Sequence, residues 1–230
     1  MYRPGRMGLV AELPSFHELA ESPEPPLDML ALALAAEFRV VEAGFALDRL
    51  DALGADLAEA VAQTEGGPRE EARACADVLA GVHGFTGDAE HYDDPENSML
   101  DVVLERRRGL PILLSVVYVE VARRAGVPLV AVGLPGHFVV AHRTPRSTIL
   151  LDPFTDGGPV RRTVPAPLVR AWTAPEIALR MLNNLVGSFR RRADLGRALR
   201  AASMRLELPA PPAEREAHER ELRSMQARLN

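Results

Sequence analysis

Apolar and polar positions alternate in three blocks along the chain: a helical stretch, a short run of strands, and a second helical stretch. Leu27, Leu30, Leu34, Phe38 and Val41 recur at helical spacing behind Pro25-Pro26. Leu50, Leu53, Leu57 and Val61 repeat that spacing, and after the Gly66-Gly67-Pro68 break a third helix is predicted from Glu70 to about Val82. Asp94-Pro95 reads as an N-cap with proline at the first helical position. Ser98-Met99-Leu100-Asp101 is the alternative start one turn later. Leu100, Val103, Leu104 and Arg107 line the helix that follows, and Gly109 is predicted to end it. The segment from Pro111 to Arg124 differs in kind. Ile112, Leu113, Leu114, Val116, Val117, Val119 and Ala122 make it apolar nearly all round, which predicts a buried central helix. Gly126 and Pro128 stop it.

Leu129 to Leu134, His137 to Ala141, Ile149 to Leu151 and Val160 to Val164 are β-type runs with hairpin-sized connections, which predicts a small, mainly antiparallel sheet. A hairpin about Thr144 and Pro145 sets His137 directly opposite Asp152, with Cβ atoms about 4.5–5.5 Å apart. Pro145 is incompatible with a tight type I′ turn, so a wider loop is expected. Alternation places Phe138, Val140, Ile149 and Leu151 on the face opposite His137 and Asp152, and that apolar face must be covered. Thr173-Ala174-Pro175-Glu176 is a capping box, opening a helix with Met181, Leu182, Leu185 and Phe189 on its stripe. Asp194 caps a further helix bearing Leu195, Ala198, Leu199 and Ala202. Glu214 to Leu229, rich in Glu and Arg, reads as a solvated helix or frayed tail. The fold class is therefore α+β, with a helical region over 1–66, a core over 67–170 and a helical extension over 171–230.

Composition narrows the chemistry. The net charge of -5 gives no electrostatic reason to expect nucleic acid or an acidic membrane as partner. All 27 basic residues are Arg, which excludes Schiff-base chemistry and a P-loop lysine within this chain. One cysteine, Cys75, rules out an intrachain disulfide and fits a reducing compartment. Glu12, Pro14 and Glu18 interrupt the N-terminal stretch, so no signal-peptide core is expected, and a cytoplasmic location follows as the default.

An imidazole held by a carboxylate is two thirds of a nucleophile–His–acid triad, and equally an ordinary structural pair. His137 and Asp152 are accordingly the candidate catalytic residues, as a vestigial or cryptic dyad. Ser115 is the nearest hydroxyl, deeper in the central helix, where serine usually bonds a backbone carbonyl. Asn97, Glu105, Arg106 and Ser115 are the candidate binding residues, with Glu105 and Arg106 read as buried partners. Asp88, His91, Asp93 and Asp94 form an oxygen-rich run that reads as caps and turns, and His137 and His142 face opposite sides of one strand. No metal and no cofactor are expected. Cys75 reads as a packing residue.

A buried helix followed by a His strand and an Asp strand resembles the transglutaminase-like branch of papain-type folds. There Gly-x-Cys starts the helix, Arg-x-x-Gly ends it, and a His and an Asp-Pro follow on strands. Arg123-Arg124-Ala125-Gly126, His137 and Asp152-Pro153 match that order, while Gly109-Leu110-Pro111 falls on Gly-x-Cys. Gly84-Phe85-Thr86-Gly87-Asp88, Tyr92-Asp93-Asp94-Pro95-Glu96-Asn97-Ser98, Pro135-Gly136-His137-Phe138 and Arg180-Met181-Leu182-Asn183-Asn184-Leu185 further resemble the bacterial SirB-type family, over roughly residues 28 to 206. The resemblance implies a transglutaminase-like core in which Pro111 replaces the nucleophile as a family trait. It also implies a tetratricopeptide-like C-terminal helix pair. Leu113 and Asp101 depart from the family's frequent Ser and Asn. The function expected of a core without its nucleophile is a non-catalytic binding or regulatory protein with a protein or peptide partner. The alternative is a hydrolase or acyl-transfer enzyme in which His137 activates water or a substrate hydroxyl.

Overall fold

The computed structural model describes residues 13–160 and 163–228. Helices α1 (Phe16–Ala20), α2 (Leu27–Ala36), α3 (Ala43–Ala62) and α4 (Pro68–Ala76) come first, and α4 runs on into a π-helical turn, Asp77–Val82. Strand β1 (Thr86–Gly87), a 3₁₀ turn (Pro95–Ser98), α5 (Leu100–Arg106) and β2 (Arg108–Gly109) lead to α6 (Pro111–Arg124). Strands β3 (Leu129–Leu134), β4 (His137–Thr144) and β5 (Ser147–Leu151) follow, then a 3₁₀ turn (Ala166–Leu168) and helices α7 (Ala174–Arg191), α8 (Leu195–Met204) and α9 (Pro212–Gln226). The architecture is α+β, as the pattern predicts. One cluster of buried apolar side chains reaches from Phe16 to Met225, so all three segments share a core.

Helix α6 is the centre of that core. Eleven of its 14 residues are buried, so it packs on every side, with α3 and α2 on one flank and β3 and β4 on another. Its C-terminal arginines reach a small polar cluster. Arg124 donates to Asp28 Oδ2 at 2.7 Å, Asp51 Oδ1 at 2.6 Å and Glu120 Oε2 at 2.8 Å, tying α6 to α2 and α3. Arg123 joins from outside, to Glu120 at 2.8 Å and Asp28 at 3.3 Å. Burial opposes ionisation of Asp28, but bonds from Arg124 and the Met29 N–H outweigh it and hold the carboxyl below its usual range. For Glu120, burial wins and pushes the carboxyl up despite both arginines.

The sheet order is β3-β4-β5, all antiparallel. Leu134 and His137 flank a two-residue turn, Pro135-Gly136, in which Gly136 takes φ 71°, as a type II turn requires at its third position. The second hairpin corrects the predicted register. Thr144 pairs with Ser147 and Val140 with Leu151, so the turn is a tight Pro145-Arg146 pair and not a wider loop. Neither turn residue has a positive φ, so the turn is not of the primed type that proline forbids. The pairing differs from the predicted one by two positions. An even shift keeps each side chain on its face. Phe138, Val140 and Leu151 are therefore in the main core as expected, with Ile149 packed on it. Val132, Val139 and Ala141 form a second cluster on the other face, beneath Leu150, Val160, Val164 and Val169.

Other elements differ locally. Helix α5 begins at Leu100 behind Met99, with no side-chain cap, while Asp94 caps the short 3₁₀ turn instead. Arg107 ends α5 in the left-handed region at φ 59°, and the predicted stop, Gly109, pairs in parallel with Gly87. Of the predicted strand from Val160 to Val164, Arg161 and Arg162 lie outside the described residues, and a single bridge joins Leu151 to Pro159. The first 12 residues, and with them the reading of the N-terminus as lacking a signal peptide, lie outside as well. Of the two readings for the C-terminal segment, α9 is the largely solvated helix, docked through its one buried residue, Met225, and through Glu221, which pairs with Arg190 and Arg205.

Trp172 lies flat against Gly133 of β3, where a Cβ would overlap the indole, and meets Phe138 edge-on at 5.2 Å. Gly133→Ala is expected to lower stability by about 1–3 kcal/mol through overpacking. Gly44→Ala, where a Cβ meets open space at the start of α3, should leave stability equal or higher. Urea denaturation of both variants checks the contrast.

Asp28 generates a pH-dependent expectation. Its folded carboxyl titrates below the unfolded value of about 3.9, so its contribution is complete above that pH and is lost as pH falls through the folded value. Glu120, pushed the other way, opposes this: its contribution is present below its unfolded value and lost as pH rises through the folded one. Asp28→Asn should therefore cost about 2 kcal/mol at neutral pH, the scale of charged hydrogen bonds. The difference from wild type should shrink below pH of about 4. Urea midpoints across pH 3–7 test this, and a pH-independent difference would contradict it.

Candidate functional site

His137 opens β4, directly after the Pro135-Gly136 turn, and Asp152 follows the last residue of β5. Pro153 stops β5 from continuing, and the Asp152 carboxylate folds back on the chain. Its Oδ1 accepts the Phe154 N–H at 3.1 Å, an Asx-type turn, and its Oδ2 accepts the Thr155 hydroxyl at 3.1 Å. Its backbone is pinned too: Asp152 N–H donates to Gly158 O at 2.9 Å, and Gly157 N–H to Asp152 O at 2.9 Å. His137 Nε2 lies 2.9 Å from Asp152 Oδ2. This bond is diagonal and not across a ladder pair, because β4–β5 pairing ends at Val140 and Leu151.

Burial works against ionisation of Asp152, but His137, the Phe154 N–H and the Thr155 hydroxyl together hold its carboxyl below the usual range. A neutral imidazole facing an ionised Asp152 would donate from Nε2 and keep its lone pair on Nδ1. The Phe154 ring stands edge-on to His137 at 6.3 Å, and Tyr92 stands against Phe154 at 6.0 Å.

Tyr92, Pro111, Ile112, Gly136, His137, Phe138, Arg180 and Asn184 line the cleft beside the imidazole. The N-terminus of α6 thus faces His137. Pro111 has no N–H, and Leu110 gives no side-chain cap. The cleft measures about 20 Å³, room for one water and little more.

None of the four predicted binding residues lines this cleft. Asn97 is buried and donates to Asp88 Oδ2 at 3.2 Å and His91 O at 2.8 Å, so it holds the loop that carries Tyr92. Arg106 pairs with Glu96 and, at 3.6 Å, with Asp94. Glu105 borders a separate pocket with Arg39 and Asp101. Both Glu105 and Arg106 are exposed, not buried partners as their sequence suggested. Ser115 is fully buried and donates to Pro111 O at 2.8 Å, so its hydroxyl is occupied within the helix. Asp88, Asp93 and Asp94 serve caps and ion pairs, and no group of metal-ligand type is present among the described residues.

Tyr92, Ile112, Arg180 and Asn184 line the cleft as well, although the sequence offers them only as members of motifs or of the buried helix and gives none of them a site role. Arg180 and Asn184 stand one turn apart on the capped helix α7, the spacing by which they share a face. Cys75 is fully buried on α4, its thiol pushed up to about 12 by burial and then by Glu71. His142 is buried on the opposite face from His137 and bonds Glu71 Oε2 at 2.7 Å. No helix of the described residues is long and apolar enough to cross a membrane.

The chain is similar in sequence to several known proteins. A UPF0162 protein of Xylella fastidiosa is 47% identical over 77 residues, covering 34% of this chain and 27% of the relative. A UPF0162 protein of Pasteurella multocida is 28% identical over 127 residues, 50% of this chain and 46% of the relative. Human F-box only protein 21 is 41% identical over 56 residues, 24% of this chain and 9% of that protein. The match therefore spans about a quarter of the length of the first of these relatives. No solved structure matches the chain. The profile of the transglutaminase-like superfamily matches residues 45–200, more than half of the chain, and with a buried central helix leading to the His137 and Asp152 strands, this chain belongs to that superfamily.

Proposed function

We propose that the protein is a binding or regulatory member of the transglutaminase-like superfamily that works without a side-chain nucleophile. The observation that carries this reading is Pro111 at the first position of α6, lining the cleft with His137. A catalytic cysteine belongs at such a helix start, where the dipole and free N–H groups favour thiolate. Proline suits the same position for backbone reasons and brings no nucleophile. Ser115 is engaged with Pro111 O, and Cys75 is sequestered on α4, so neither substitutes. The resemblance to the SirB-type family, in which Gly-x-Pro is usual, belongs to the same reading. Its ligand is a protein or peptide group that engages His137, and the α7–α8 pair, tetratricopeptide-like in sequence, supplies the partner surface.

The second reading, a hydrolase or acyl-transfer enzyme, is favoured by one observation. The cleft is water-sized, and the His137 Nδ1 lone pair makes the ring a base for that water.

Four variants separate these. In Pro111→Cys the new thiol is expected to react with iodoacetamide at least about tenfold faster than Cys75 near neutral pH, since the helix start and imidazole lower its pKa. That advantage should fall in the Pro111→Cys, His137→Ala double variant. Wild type should show no His137-dependent turnover of activated acyl esters, whereas Pro111→Cys should give a stoichiometric acylation burst. Wild-type turnover that survives Cys75→Ala but is lost in His137→Ala would replace the binding reading with the hydrolase one. A folded Pro111→Cys variant no more reactive than a free thiol would remove Pro111 from the nucleophile position.

A further inference from the structure

A far roomier cleft lies away from His137. It encloses about 660 Å³, in the range of small-molecule sites, against about 20 Å³ at the dyad. It opens where the apolar face of the sheet runs past the helix layer. Ile149 and Leu151 of the edge strand β5 form one wall, and Ala72 and Ala76 of α4 form another. The π-helical turn Asp77–Val82 borders one end, a conformation that recurs at functional sites because it is otherwise unfavourable.

Beneath the floor lies a polar group that the fold leaves unused. The Tyr118 hydroxyl is buried, has no hydrogen-bond partner, and points at Gly157, with Ala76 and Ala80 alongside. Ala76 and both chain neighbours of Gly157 line or border the cleft. Buried hydroxyls are almost always paired, and this unpaired one sits behind Gly157, outside the residues that line the cleft.

The charges of the cleft are ordered along it. Arg69, Arg73 and Asp77 follow one another on one stripe. Arg73 is paired with Asp77 at 3.2 Å. Arg69 makes no ion pair or hydrogen bond among the described residues, although it borders the cleft. Asp156 lies at the Asp77 end, because Gly157 packs on Ala76 and Ala80, and its Oδ1 accepts the Gly158 N–H at 2.9 Å. With Arg73 and Asp77 neutralising each other, Arg69 is left as the cation at one end and Asp156 as the anion at the other, with apolar walls between. Arg69 and Asp77 are separated by about 12 Å along the helix, the span of an extended chain of about ten carbons.

We propose that this cleft binds a medium-length aliphatic monocarboxylate, its carboxylate on Arg69 and its chain laid along Ala72, Ala76, Ile149 and Leu151 toward Asp156. The single anionic end is matched by Arg69, and a second one would meet Asp77 and Asp156. The site is separate from the dyad and does not depend on whether His137 is catalytic.

Isothermal titration calorimetry on the full chain, with decanoate, decanedioate and decylamine below micelle-forming concentrations, tests this. Decanoate should bind saturably at one site and decanedioate at least about tenfold more weakly, and any binding of decylamine, reversed with its ammonium toward Asp156, should be weaker than that of decanoate and insensitive to Arg69→Glu. Arg69→Glu, an exposed position, should weaken decanoate by at least about tenfold. Gly81→Trp projects from a cleft-lining position where a Cβ meets open space, and should abolish binding by filling the cleft. Circular dichroism and thermal melting establish that both variants are folded. The proposal is overturned if decanoate shows no saturable binding, if all three probes bind equally, or if neither variant changes decanoate affinity.

Discussion

The junction of Arg124 with Asp28, Asp51 and Glu120 is the constraint on which the rest of the molecule depends. An apolar helix buried on all sides has no preferred rotation or axial position from hydrophobicity alone, since burial is non-directional. Directional bonds at its C-terminal end remove that freedom, because a guanidinium forks to its acceptors in one plane. With one end of α6 fixed against α2 and α3, its other end delivers Pro111 and Ile112 to the start of β4. Desolvating Asp28 and Glu120 is the cost of this arrangement, offset by the arginine bonds they share.

The dyad is held by local bonds of a different kind. Asp152 would stay where it is without His137, because the Phe154 N–H, the Thr155 hydroxyl and the Gly157–Gly158 backbone already fix it. The imidazole is therefore the partner that is oriented, and the carboxylate is the fixed reference. That division of roles suits either holding a ligand or setting up a base, since both need a ring with one defined tautomer. The same turn, through Asp156 and Gly158, borders the large cleft on the far side.

Most of this was legible in the sequence where chemistry is local. Pro111, Gly126, the Thr173–Glu176 capping box and the Asp194 cap mark helix ends that the structure reproduces. His137 and Asp152 share a face because strand parity survives a two-residue change of register, even though the turn at Pro145-Arg146 was read as too wide. What escaped depends on contacts between distant segments. Asn97 looked like a site residue because it is a polar group in a motif, yet its partners, Asp88 and His91, make it a loop clamp. Glu105 and Arg106 gave no sign of which helix face would meet solvent, since α5 is only seven residues long. Arg180 joins the cleft from a helix more than forty residues beyond His137, and no spacing rule connects them.

The small volume beside His137 has a consequence for rates. Tyr92 lines the cleft from a loop clamped inside by Asn97 and outside by Asp93, which pairs with Arg191 and accepts the Ser188 hydroxyl at its backbone carbonyl. If the cleft takes a ligand group larger than water, as the proposed binding role requires, its walls must part first, and association would then level off at the opening rate instead of rising with concentration to the diffusional limit. The outer Asp93 contacts would set that opening rate.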